Sequence, residues 1–208
     1  APTASISIIC GGTSACIEPI APSNASPMDR CIRPAAYQLP TAASKAAAQS
    51  PADIVYLGEV ICAKRRLVSQ DDWLAIGREL QSAGKEVVLS TLTLVEAASE
   101  SAAVRRLCEN EEFLVEANDF SAIHYLSSAG RPFITGPSVN IYNHRSLSLL
   151  TGLGLMRWVL PVELGLDALA ELQAQRPEGV ETEVFGYGRL PLAWSARCYS
   201  ARSENLPK

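Results

Sequence analysis

No apolar run in this 208-residue chain approaches the roughly 18 residues that a helix needs to cross a bilayer. Residues 1–30 also lack the charged start and continuous apolar segment of a secretory signal, so a cytoplasmic location is expected. Histidine is scarce, with only His124 and His144, and the signal for a nucleophile–histidine pair is correspondingly weak. Charge of either sign is limited: the net charge of −4 and pI near 5.3 argue against bulk binding to nucleic acid or a membrane surface. The glycine fingerprint Gly-x-Gly-x-x-Gly does not follow the first strand-like segment, which removes the main support for a dinucleotide-binding sheet.

What the chain does contain is 48% hydrophobic and 19% charged residues, a globular composition. Its first 50 residues stand apart. They are rich in Ala, Ser, Pro and Thr, with prolines at 3, 19, 22, 27, 34 and 40, and read as low-complexity, disordered or foreign to the fold. Within them only residues 6–10 resemble a strand and residues 41–49 a weak Ala-rich helix. The first residue is Ala rather than Met, so the chain reads as incomplete at that end.

From Asp53 a regular pattern begins. Apolar runs at 54–57, 86–89, 113–115, 132–134, 157–160 and 183–185 read as buried strands. Amphipathic stretches at 71–82, 95–108, 119–128, 146–150 and 166–175 read as the helices between them. Strands starting roughly 20–30 residues apart and alternating with helices mean repeated βα units and a parallel sheet. Polar residues gather just past the strands: Gly58 and Glu59, Ser90 and Thr91, Glu116 to Asn118, Gly136, Glu163, and Gly186 to Gly188. That placement suits a TIM-like (β/α) barrel, whose sites form at the C-terminal ends of its strands. A closed barrel has eight strands and about 250 residues. About six βα units are visible across 51–208, so the expected fold is an incomplete, TIM-like α/β barrel.

Six cysteines are present: Cys10, Cys16, Cys31, Cys62, Cys108 and Cys198. Without a secretory signal, reduced thiols or metal ligands are expected rather than a disulfide framework. The spacings of Cys10, Cys16 and Cys31 match no metal pattern, and Cys108 falls on the apolar side of a helix, where packing explains it. Cys62 and Cys198 differ. Each follows a strand exit and a glycine, and each lies among basic residues: Lys64, Arg65 and Arg66 for the first, Arg197 and Arg202 for the second. Basic neighbours lower a thiol's pKa, and a thiolate at a barrel mouth can bind metal or attack a substrate. Two partly buried small residues would look the same in the sequence. Glu59, Glu116 and Glu163, all at strand exits, suit acid–base work or ion pairs that hold the loops. Trp73, Trp158 and Trp194 read as core or interface residues, with Trp194 and Tyr199 flanking Cys198.

Several ordered segments carry a resemblance. Asp-Ile-Val-Tyr-Leu-Gly-Glu-Val-Ile-Cys-Ala-Lys-Arg-Arg at 53–66, Val-Val-Leu-Ser-Thr-Leu-Thr-Leu-Val at 87–95 and Glu-Phe-Leu-Val-Glu-Ala-Asn-Asp at 112–119 are followed by Met-Arg-Trp-Val-Leu-Pro-Val-Glu at 156–163 and by residues 188–204. Together they resemble the collagenase-like peptidase family, whose members look like modified TIM barrels. Within it they are most similar to subunits of an oxygen-independent hydroxylase of ubiquinone precursors. The resemblance implies a 4Fe-4S cluster held by four cysteines, with Cys62 and Cys198 as the first two ligands and as the metal and cofactor-binding residues. The other two ligands would lie beyond Lys208, in a Cys-x-x-Cys-Cys stretch. It also implies a paralogous subunit as heterodimer partner, a lipid-binding accessory protein and an aromatic quinone precursor as substrate. No catalytic residue follows from it, and this stretch alone is expected to be inactive.

One departure separates branches of the family. The paralogous subunit and peptidase-like relatives carry His-Gly-Ala-x-Cys, where this chain reads Tyr187-Gly-Arg-Leu-Pro191 ahead of Ser195-Ala-Arg-Cys198. With Pro191 in place of that cysteine, the resemblance favours this subunit type over its paralogue and over a peptidase, and argues against an RNA-hydroxylation relative.

Overall fold

The structure is a computed structural model that describes residues 8–11, 40–60 and 68–186, with side chains described from Ser44 onward. Among the described residues, seven strands form one sheet: β1 (Ile8–Gly11), β2 (Ile54–Gly58), β3 (Glu86–Ser90), β4 (Leu114–Ala117), β5 (Phe133–Thr135), β6 (Leu155–Val159) and β7 (Glu181–Glu183). Every neighbouring pair is parallel, and the spatial order is the chain order from β1 to β7. A doubly wound sheet would reverse direction at a switch point. This one does not. Tyr56 on β2 reaches Glu183 on β7 across five intervening ladders, so the sheet curls into an incomplete TIM-like barrel.

Helices α1 (Pro40–Gln49), α2 (Gln70–Ser82), α3 (Ala98–Cys108), α4 (Phe120–Ser128), α5 (His144–Gly152) and α6 (Leu166–Ala174) join the strands. Their starts are set locally. Ser69 and Asp72 form a reciprocal capping box at α2, while Asp119 and Asn143 accept backbone N–H bonds at α4 and α5. At α3 the Glu100 carboxylate reaches back to the N–H groups of Glu96 and Ala97, at 3.0 and 3.1 Å. His144 is the first residue of α5 rather than a loop residue, because the Asn143 cap starts the helix earlier than apolar periodicity indicates.

Residues 8–11 and 40–49 of the Pro-rich first segment form β1, beside β2, and α1, whose Ala47 is buried against α2 and the outer face of the sheet. The remainder of residues 1–39 lies outside the described residues.

The sheet is buried on both faces. Outside, Val55, Leu57, Val87, Leu89 and Phe113 pack under α1 and α2, and Val115, Ala117, Phe133 and Trp158 under the later helices. Trp158 is fully buried, and its indole N–H is satisfied at 2.9 Å by Thr182 Oγ1 on β7. Inside, Ile54, Tyr56, Val88 and Ile134 form a small apolar group. Beside it the barrel interior is charged. Arg157 Nε is 2.6 Å from Glu181, its Nη1 is 2.8 Å from Glu86 on β3, and Glu183 lies 3.5 Å from Nε.

That interior corrects the last strand. The apolar pair Val184-Phe185 suggests a strand at 183–185, yet β7 is Glu181–Glu183 and Val184 is exposed just beyond it. The ladder pairs Arg157 with Glu181 and Val159 with Glu183, so the two glutamates point inward to Arg157 and Tyr56. Electrostatic pairing, not hydrophobicity, sets this register. Among the described residues, no helix is long and apolar enough to cross a membrane.

Candidate functional site

The C-terminal ends of β2 to β5 form a stitched polar rim. After β2, Val60 O accepts both the N–H and the hydroxyl of Thr93, each at 2.9 Å, tying the β2 exit to the β3 exit. Gly58 makes that approach possible. It has φ +149°, and a Cβ there would lie 2.4 Å from the backbone oxygen of Ser90.

At β4 the same principle concentrates on one carboxylate. Glu116 is buried, and Asn118 Nδ2 donates to its Oε2 at 3.0 Å. Asn118 is itself fixed. Its backbone N–H donates to Thr91 Oγ1 at 2.9 Å, and Nδ2 also donates to Thr91 O at 3.1 Å. Ser138 Oγ donates to Asn118 O at 2.8 Å and lies 3.2 Å from Oδ1. Gly136 on the β5 exit leaves the space: a Cβ there would sit 1.8 Å from Asn118 Oδ1 and 3.0 Å from Glu116 Oε1. Three consecutive strand exits thus orient a single side chain.

Deeper in the barrel, the Tyr56 hydroxyl donates to Glu183 Oε1 at 2.6 Å. Burial first, then the charges of Glu183 and Glu116, push the Tyr56 pKa far above its ordinary value, so this phenol remains a donor. Burial opposes the charge of Arg157, but its hydrogen bonds to Glu86 and Glu181 outweigh this and hold its pKa up. Ser90 Oγ, beside Glu116 in the ladder, is buried with no hydrogen-bond partner among the described residues.

The residues singled out in the sequence divide sharply. Glu116 is in the barrel interior, Glu59 is half-buried at the β2 exit, and Glu163 is exposed at the β6 exit. Tyr142 is hydrogen-bonded to Glu163; partial desolvation and then that carboxylate raise its pKa. Trp158 is core, Trp73 half-buried against α2's apolar cluster, and His124 exposed on α4. Cys62, Cys198, Cys16 and Cys31, their basic neighbours Lys64, Arg65, Arg66, Arg197 and Arg202, and Trp194 and Tyr199 lie outside the described residues. Among the described residues, no group of three or more His, Cys, Asp or Glu side chains is placed to hold a metal ion. The cluster implied by the resemblance therefore depends wholly on residues outside that set.

Cys10 lies on β1, paired with Leu57, and Cys108 is the cysteine whose side chain is described; it belongs to the core. It is 4% exposed, and burial pushes its thiol up to about 12, with Arg131 only partly opposing this. Iodoacetamide at pH 8 is expected to leave Cys108 unmodified until denaturant unfolds the protein; labelling of the native state as fast as free thiol would contradict this placement. Its burial is fully stabilising below about pH 9, the unfolded value, and loses that contribution as pH rises toward 12.

Tyr56, Arg157 and Glu183 were not singled out as functional candidates by sequence reasoning. A signal was present: Glu181 and Glu183 are two apart, so on a strand they share a face, and Arg157 interrupts an apolar run. Charged residues at inward positions of a buried strand need one another.

Comparison with known proteins adds a family and one named relative. The model of peptidase family U32 matches residues 41–205. The tRNA hydroxylation protein P of Haemophilus influenzae is 37% identical over 59 residues, which is 28% of this chain and 13% of that relative's length. No solved structure matches.

Proposed function

This chain belongs to peptidase family U32, and from that premise we propose that it is part of a hydroxylase rather than a protease. The supporting observation is that a chain of this family matches, in part, a protein named for hydroxylation. Our more specific reading is a UbiV-like subunit that pairs with a UbiU-like paralogue. With a UbiT-like lipid-binding protein it would act in oxygen-independent hydroxylation of an aromatic ubiquinone precursor. Pro191, where the UbiU-like paralogue and peptidase-like relatives carry cysteine, supports that choice. In this reading Cys62 and Cys198 hold an iron–sulfur cluster that supplies the electron transfer when bound. The barrel's own contribution is the oriented Glu116 and the water-poor interior around Tyr56 and Arg157.

A second reading has a specific observation in its favour. The matched relative is a tRNA hydroxylation protein, and its matched segment covers 28% of this chain. The two readings part in a deletion strain of the source organism grown without oxygen and complemented with the full-length gene. Restored ubiquinone supports the first, and restored hydroxylated nucleosides in tRNA support the second; restoration of neither would remove the hydroxylase proposal. In the same strain Cys62→Ala is expected to abolish the product, and the purified variant to lose iron–sulfur absorbance. Full iron content in that variant would refute the ligand assignment.

A further inference from the structure

We propose that the outer face of α5 pairs with the same face of a second copy of this chain, the two helices running antiparallel about a two-fold axis at Leu149. The pairing rests on this surface alone and is independent of the hydroxylase reading.

The helix period lays out the face. α5 buries Leu147 and Leu150 in the layer beneath it, while Arg145, Ser148, Leu149, Gly152 and Leu153 are exposed. Those five follow the positions i, i+3, i+4, i+7 and i+8, so they form one stripe. Leu149 is 68% exposed and Leu153 44%, on a helix whose inner side is already packed. One exposed leucine needs no explanation. Two in adjacent turns, flanked by Ser148 and Gly152, make a surface of knobs and holes that can interdigitate with its own copy.

Gly152 is the second observation. It does not adopt a positive φ, and a Cβ there would meet nothing within 4 Å. Neither turn geometry nor packing within the chain therefore calls for glycine, which weakens a helix relative to alanine. Close approach of another helix does call for it, because the interaxial distance is set by the side chains at the contact.

Charge identifies the occupant. The chain has a net charge of −4, so two copies repel over much of their surface. No Asp or Glu occurs from residue 120 to residue 162, which leaves α4 and α5 without a carboxylate. Arg145 lies in the first turn of α5, the end where the helix dipole disfavours a cation, and the last turn holds no basic residue. Among the described residues Arg145 has no ion pair. Antiparallel pairing about Leu149 sets Arg145 opposite residue 153 of the second copy, beside that helix's C-terminal carbonyls. Each copy then supplies the cation that the other helix end lacks. Such a contact is isologous and closes as a dimer. Two helices of 9 residues bury a small interface, so the dimer is expected to be micromolar and reversible.

Sedimentation velocity of the purified chain from about 1 to 200 µM measures the association. Wild type is expected to pass from monomer to dimer across that range. Leu149→Glu is expected to weaken dimerisation about tenfold or more, and Arg145→Glu several-fold. Gly152→Ala separates an interface from a structural role. It should raise the melting temperature at about 1 µM, where the monomer dominates, and still weaken dimerisation. Benzoylphenylalanine in place of Leu153 should photo-crosslink to the first turn of α5 in a second copy. Wild type still monomeric at about 200 µM overturns the proposal. A dimer that Leu149→Glu leaves intact overturns it as well, as do crosslinks that map to any other surface. Should Leu149→Glu fail to fold, as read by circular dichroism, association unchanged in both Gly152→Ala and Arg145→Glu overturns it instead.

Discussion

Arg157→Met is expected to cost about 3–5 kcal/mol of stability, the range for removing one member of a buried ion pair and leaving its partners behind. Arg157 is 4% exposed and meets Glu86, Glu181 and Glu183 from three directions. Glu86 and Glu181 have side chains 41% and 52% exposed, so they turn to water and recover most of their solvation. Glu183, 1% exposed, has no such exit. The loss therefore comes chiefly from Glu183 and from the Tyr56 hydroxyl bonded to it. Urea titration gives the value through the shift in midpoint at constant slope. A loss below about 1 kcal/mol would mean that the charged interior does not hold β2 and β7 together. Adding Glu183→Gln should restore part of the loss, since the buried charge is then removed.

Gly58→Ala is the second large effect, at about 2–5 kcal/mol from overpacking and backbone strain together. The added Cβ would meet the Ser90 carbonyl oxygen at 2.4 Å, and that oxygen belongs to backbone that cannot rotate away. The residue also has φ +149°, a conformation that side chains rarely adopt. Gly84→Ala separates the two causes. Gly84 has φ +83° but nothing within 4 Å of its Cβ position, so only the backbone penalty of about 1–2 kcal/mol is expected there. Equal costs at the two positions would show that the β2–β3 contact is loose. The functional consequence is local, because the Val60–Thr93 hydrogen bonds begin two residues later. Faster amide exchange at Thr93 in Gly58→Ala would report that displacement.

The difference between these two glycines also describes what a sequence can and cannot convey. Both are visible as turn signals, but only the fold brings Ser90 against Gly58. The same holds for Glu116. Its position past an apolar run marked it as a strand-exit carboxylate, whereas β4 extends through Ala117 and holds Glu116 within the strand, buried. Its orientation depends on Thr91, Asn118, Gly136 and Ser138, which come from three different exits. No local pattern joins them.

The sequence by itself determined the βα repeat, the parallel sheet and the approximate positions of five strands, from β2 to β6, because side-chain periodicity and burial on both sheet faces are written locally. It also determined that polar residues gather at one end of that sheet. The tertiary structure alone decided the curl of the sheet, the pairing of Tyr56 with Glu183, and the shift of β7 onto Glu181–Glu183. The physical reason is the range of the forces involved. Hydrophobic alternation acts between neighbours along a strand, whereas a buried charge is stable only where distant strands bring its counter-charges within a few ångströms.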